Sequence, residues 1–206
     1  MSATQQFYRE LKSKFDVKAP NFLTTNSPIT YVGLDISLTR QGKDSFISVD
    51  QSSDLQRYLD KIDFHTCRSV DNPMSNKWKS MENPTPLTGE EAGWYRAVVG
   101  SLNFYACATR YDIAYAVSRL AQFSSRPTVS SKVALERVLS YLKTHTAFNL
   151  TAKVSTTTND IRIYSDSDHA GDKSFDCRSQ SGTMIILNDA PVFWRSKKQP
   201  TTAIYK

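Results

Sequence analysis

The residues of this sequence best suited to chemistry are three neighbouring carboxylates, Asp166, Asp168 and Asp172. They could be a metal site, their oxygens ligating a divalent cation at a strand end. A magnesium pair held by carboxylates ~4 Å apart is the machinery of phosphodiester cleavage, and it needs several acidic ligands. One strand end offering Asp166, helped by Asp168, provides at most a weak, water-rich Mg²⁺ site. The alternative is a set of solvated carboxylates at a strand end and turn. A calcium loop is excluded, because Ala170 occupies the third ligand position and Cys177 the twelfth.

A second set is cationic. Arg96, Arg110, Arg119, Arg126, Lys132, Arg137 and Lys143 lie on or beside one predicted helical block. Trp194-Arg195-Ser196-Lys197-Lys198 combines an aromatic ring with three cations, a mixture able to stack on bases and neutralise phosphate. Lys77-Trp78-Lys79 is a smaller version. The competing readings are a solvated helix face for the first group and an edge strand kept soluble by charge for the second. Arg110 also stands two residues before Asp112, which suits a helix-cap ion pair. Tyr95, Tyr105, Tyr115 and Tyr141 sit near apolar stripes and read as core.

Other chemistries are poorly served. The three cysteines (Cys67, Cys107, Cys177) and three histidines (His65, His145, His169) are scattered, which argues against a disulfide framework or a zinc site. The net charge of +6 suits a polyanion. No apolar run approaches ~18 residues and the N-terminus has no basic-then-apolar leader, so no membrane partner is expected. The expectation is an intracellular chain, cytoplasmic or nuclear.

The elements that position these groups follow from periodicity. Phe7, Leu11 and Phe15 predict an amphipathic helix over 3 to 14, and alternation from Ile29 to Leu38 predicts a half-buried strand. Gln41-Gly42-Lys43-Asp44 turns that strand into a second arm over 45 to 49. Leu55, Tyr58, Leu59 and Ile62 predict a helix after it, and 63 to 87 read as an extended connection. Thr88 and Glu91 form a capping-box pattern ahead of a helix faced by Tyr95, Val98, Val99, Leu102 and Ala106. Ile113, Ala116, Val117, Leu120 and Ala121 mark a second helix. Leu135, Val138, Leu139 and Leu142 mark a third, and together they predict a three-helix bundle. Residues 153 to 160 read as a Ser/Thr-rich loop. Strands follow over 161 to 165, 183 to 187 and 192 to 194, with Asn188-Asp189 as a turn.

In order along the chain, these segments resemble the Pol polyprotein of copia-type LTR retrotransposons. Tyr95-Arg96 with Gly100-Ser101-Leu102 and Tyr105 is similar to that family's YR-x-x-x-GSL-x-Y block. Thr109-Arg110-Tyr111-Asp112-Ile113 resembles TRPDI, with Tyr111 at the usual proline. Val138-Leu139-Ser140-Tyr141-Leu142-Lys143 resembles VLRYLK. Tyr164-Ser165-Asp166-Ser167-Asp168-His169-Ala170-Gly171-Asp172 resembles YSDADWAGD, with His169 replacing tryptophan. Ser179-Gln180-Ser181-Gly182 and Trp194-Arg195-Ser196-Lys197-Lys198-Gln199 complete the series, while Tyr31-Val32-Gly33-Leu34-Asp35-Ile36 resembles FLGIEI.

The resemblance implies an α+β fold in two parts. Residues 1 to 150 would be the end of a reverse-transcriptase palm, a β-hairpin with amphipathic helices, plus a three-helix thumb-like bundle. Residues 151 to 206 would be the partial antiparallel sheet that begins an RNase H-like domain. It makes Asp166 the remnant of an RNase H catalytic position. The family's polymerase aspartates, in YVDD, have no match here, and the chain stops where the next RNase H carboxylate would appear. The expected role is therefore a catalytically incomplete fragment that binds the backbone of an RNA/DNA hybrid or duplex, with Arg96, Arg110, Lys143, Trp194, Arg195, Lys197 and Lys198 in contact. Mg²⁺ would be weak or absent. The alternatives are a decoy or interaction module, as a homo-oligomer or paired with an intact polymerase, or RNase H activity completed by a partner chain.

Overall fold

The computed structural model describes residues 3–62, 64, 68–75, 78, 83–154, 159–168 and 178–201. Its architecture is α+β, with all the helices but the first gathered on one core, and two antiparallel sheets.

The chain opens with α1 (Ala3–Lys14), which buries none of its residues. Then β1 (Ile29–Tyr31), β2 (Leu34–Gln41) and β3 (Asp44–Asp50) run antiparallel. The single strand expected over 29 to 38 is thus two. Tyr31 pairs with Leu34 across a two-residue turn in which Val32 (φ 50°) and Gly33 (φ 76°) are both left-handed. Two positive-φ residues give the twist that a tight hairpin needs, so alternation was interrupted by turn geometry that Val32 does not advertise.

The next helices are α2 (Ser52–Lys61), α3 (Gly89–Ala108), α4 (Ala114–Ala121, entered through a 3₁₀ turn at Tyr111–Ile113) and α5 (Val129–Thr144). The three predicted faces pack together as expected. Tyr95, Val98 and Leu102 meet Ile113, Val117, Leu120, Leu135, Val138 and Leu139 in one buried cluster. The same cluster also holds Leu55 and Leu59, so α2 is part of it.

The predicted capping box at Thr88 is absent, since Thr88 makes no side-chain cap hydrogen bond. Gly89, the first helical residue, has φ 54°, and Glu91 turns away to an ion pair with Lys132 at 2.6 Å. The box forms instead at α5. There the Thr128 hydroxyl accepts from Ser131 N–H (3.2 Å) and Ser131 Oγ accepts from Thr128 N–H (2.9 Å).

Beyond the helices, β4 (Asn149–Val154) returns to pair with β3, from Asp50↔Asn149 to Ser45↔Val154. The first sheet therefore has the order β1-β2-β3-β4. Residues 153 and 154, expected in a loop, are strand, and the division expected at 150/151 falls inside β4. The second sheet contains β5 (Ile161–Ser167), β6 (Gln180–Leu187) and β7 (Ala190–Lys198) in that order. Asn188 and Asp189 form its two-residue turn as predicted, both at positive φ.

Candidate functional site

The second sheet is presented to the helices by its β7 edge. Alternation places Trp194, Ser196 and Lys198 on one face of β7, with Phe193, Arg195 and Lys197 on the other. On the first face the register lines up Tyr164, Met184 and Trp194 in one row and Asp166, Gly182 and Ser196 in the next. Between this face and the start of α4 lies an open groove of about 650 Å³, which Tyr111, Tyr115, Tyr164, Asp166, Trp194 and Arg195 help to line.

Three contacts fix the groove. Trp194 Nε1–H donates to the carbonyl of Ala106, near the α3 C-terminus, where helix carbonyls lack intrahelical donors. The Tyr111 ring stands edge-on to Trp194 at 5.9 Å and to Phe148 at 5.2 Å. The buried amide of Gln180 donates to Ser118 Oγ and to Ser196 Oγ, each at 2.9 Å, tying β6 to α4 and to β7. From sequence, Gln180 figures only within the Ser179-Gln180-Ser181-Gly182 block and takes no site role. A lone glutamine beside a Ser-Gly pair carries no signal until the tertiary contacts exist.

Asp166 lies exposed on the groove side, its Oδ1 accepting from Ser167 N–H at 2.7 Å. Asp168 closes the strand end: its N–H donates to the Gln180 carbonyl (3.1 Å), and its carboxylate accepts from Gln180 N–H (2.6 Å). Neither Asp166 nor Asp168 is joined by a further acidic side chain among the described residues. Each carboxylate already holds a backbone N–H, and among the described residues no group of three or more His, Cys, Asp or Glu side chains could hold a metal ion. Asp172, Ala170 and Cys177 lie outside the described residues, as do His65, Cys67 and His169.

The cations divide sharply by position. Arg110 is 1% exposed. Its guanidinium pairs with Asp112 at 2.7 Å and lies 4.8 Å from the Phe148 ring centroid, and Tyr141 O–H donates to the same Asp112 carboxylate at 3.0 Å. A phosphate cannot reach a guanidinium enclosed in this way, so the ion-pair reading of Arg110 is the one the geometry carries. Arg119 is buried as well. Lys132 is paired with Glu91, Arg137 donates to Asn72 Oδ1 at 2.7 Å, and Lys143 donates to the Phe64 carbonyl at 3.3 Å. Arg96, Arg126, Arg195 and Lys197 are exposed, while Lys198 is half-buried.

The aromatic expectations divide too. Tyr95 and Tyr105 are buried, donating to the Leu120 carbonyl and to Asp54 Oδ2, both at 2.8 Å. Burial pushes both phenols well above their ordinary pKa, and for Tyr105 the Asp54 carboxylate adds to it. Tyr141 is half-buried over Arg110. Tyr115, expected in the core, is 49% exposed and faces the groove. Trp78 is packed: its Nε1–H donates to the Ser130 carbonyl and hydroxyl, and its ring meets Phe123 edge-on at 6.0 Å. Lys77 and Lys79 lie outside the described residues.

Fold and site together define an α+β unit whose second sheet, cation-bearing at β7, closes an aromatic groove against a helical core. No protein-family model and no solved structure matches this chain. Curated relatives do. The retrovirus-related Pol polyprotein from transposon RE1 of Arabidopsis thaliana is 39% identical over 142 residues, covering 68% of this chain and 9% of that protein. The corresponding polyprotein from transposon TNT 1-94 of Nicotiana tabacum is 27% identical over 83% of this chain and 13% of its own length. Secreted RxLR effector protein 161 of Plasmopara viticola is 41% identical over 110 residues, 53% of this chain and 76% of that protein. The chain spans about a tenth of the Pol polyproteins it matches, from 9% to 13% of their length. It belongs to the family of copia-type, retrovirus-related Pol polyproteins of transposons, matching one stretch of them.

Proposed function

We propose that this chain is the region of a copia-type Pol polyprotein where the end of the reverse transcriptase meets the start of an RNase H-like fold. In this reading α3, α4 and α5 are the thumb-like bundle and β5, β6 and β7 the opening RNase H-like strands. Its work is to hold the backbone of an RNA/DNA hybrid or duplex, without performing phosphodiester chemistry unaided. Any Mg²⁺ at Asp166 would be loosely held, and cleavage would need further acidic ligands. The setting would be the cytoplasm or nucleus. No helix among the described residues is long and apolar enough to cross a membrane.

The observation that carries this is the outward face of β7, where Arg195 and Lys197 project two residues apart beside a groove that contains Asp166. Cations spaced along an exposed strand match successive backbone phosphates, whereas Arg110 and Arg119 are spent on packing. Binding of this kind releases counterions and weakens steeply with salt. Fluorescence anisotropy with a labelled hybrid, at a series of salt concentrations, tests it. Affinity should fall linearly on a log–log plot, and failure to bind hybrid at low salt refutes the reading.

One further observation supports a second role. Ile161, Ile163 and Phe193 are 61%, 68% and 46% exposed, and Ile163 and Phe193 flank Ile185 in one cross-strand row. An apolar sheet face of this kind favours association, with a second copy or with an intact polymerase. Light scattering across a concentration series, with and without Ile163→Lys, separates an associating protein from a monomeric one.

A further inference from the structure

We infer that the groove between α4 and the second sheet takes one unpaired nucleobase, so that this chain distinguishes interrupted from fully paired nucleic acid. The inference rests on the nucleic-acid reading above and names what the groove adds to it. Two of the lining tyrosines are not consumed by packing. Tyr115 on α4 is 49% exposed and Tyr164 on β5 is 52% exposed, one on the helical wall and one on the sheet wall. Behind them, Tyr111 and Trp194 form a floor whose rings are held edge-to-face, with the indole N–H already satisfied. A half-buried floor, anchored by the Trp194 hydrogen bond and by ring contacts, and two solvent-facing aromatic rings can accept a flat ring by stacking at little ordering cost.

The polar groups select the occupant. Asp166 presents a carboxylate acceptor, which suits the amino group on a base edge. The Gln180 amide is already spent on Ser118 and Ser196, and Arg195, although it lines the groove edge, projects from the opposite face of β7, where it would meet a backbone phosphate rather than the inserted base. An apolar helix lying here would strip water from Asp166 and offer it no donor. The volume, about 650 Å³, falls within the ~300–1,000 Å³ range of small-ligand sites. A paired base, stacked inside a duplex, presents only its edge and could not insert between the walls.

The test uses the full chain with two hybrids of one sequence, one fully paired and one carrying 2-aminopurine as a single-nucleotide bulge. The bulged hybrid should bind about tenfold tighter, and its 2-aminopurine fluorescence should fall as the base stacks on a tyrosine. Tyr115→Ala and Tyr164→Ala should each erase that preference while leaving affinity for the paired hybrid unchanged. Tyr115→Phe and Tyr164→Phe, which keep the ring, should retain it. Equal affinity for both hybrids, or a preference that survives both alanine variants, overturns the groove assignment and leaves backbone binding standing. Binding to the bulged hybrid alone supports the groove and overturns the backbone reading. Failure to bind either hybrid overturns both.

Discussion

The helical core and the second sheet of this protein solve the burial problem to very different degrees. Every fully buried apolar side chain among the described residues, except Ala190, belongs to the helices or their links. Leu102, Ile113, Leu120, Leu135 and Leu139 retain no exposure. In the second sheet Ile161 and Ile163 remain mostly exposed, and Tyr164 and Phe193 about half so. A helix buries one stripe and finds its partner a short link away. A sheet has two faces, and one edge docked on α4 covers only part of one of them. The stable part of the molecule is therefore the helical one, and the part with groups left over for binding is the sheet.

That contrast can be broken most forcefully with arginine. Arg110→Ala leaves Asp112 without its partner in a buried setting and should cost about 3–5 kcal/mol. Arg195→Ala should leave stability within about 0.5 kcal/mol and instead reduce the salt-dependence slope of hybrid binding by about 1. Urea denaturation followed by circular dichroism, with salt-dependent anisotropy beside it, reads both. Equal losses of stability would erase the distinction.

Next in size is a comparison of aliphatic truncations. Leu102→Ala should destabilise by about 2–5 kcal/mol through lost contacts and a cavity. Ile163→Ala, at a side chain 68% exposed, should change stability by no more than about 0.5 kcal/mol. A large loss at Ile163 would mean that the open face is covered in solution. On a finer scale, Thr128→Ala should cost about 1 kcal/mol by removing a working cap, whereas Thr88→Ala should cost only a few tenths.

The smallest effect at neutral pH is the tyrosine one. Tyr95 and Tyr105 have folded-state pKa values raised by burial. Their protonated phenols thus contribute stability that is fully present below the unfolded value, about 10, and is lost as pH rises beyond it. Helical ellipticity should collapse above about pH 10, together with phenolate absorbance, and Tyr95→Phe should make that loss shallower. Simultaneous phenolate formation without unfolding would contradict the burial of these rings.

How much was legible beforehand depends on which interactions decide each feature. Helix positions along 88 to 144 follow from the 3.6-residue period alone. The paired strands β5 to β7 and the Asn188-Asp189 turn follow from alternation and turn chemistry. β4 was missed although Leu150, Ala152 and Val154 alternate, because the Ser/Thr-rich stretch behind it masked a short run. The split at Val32-Gly33 was missed because a β-branched residue is an unusual occupant of left-handed backbone.

Side-chain assignments were less secure. Arg110 and Arg195 are the same residue type, and no local pattern says that one is sealed under Phe148 while the other stands in solvent. Tyr95 and Tyr115 likewise differ only in which side of a helix meets a neighbour.

Sequence by itself determined family, helix stripes, strand alternation and the two-residue turns, since these depend on residues a few positions apart. Tertiary structure alone decided that β4 returns to β3, that Gln180 ties the sheet to α4, and that Asp166 shares a groove with Tyr115. The reason is that each of these depends on contacts between segments far apart in the chain, whose energies local periodicity does not encode.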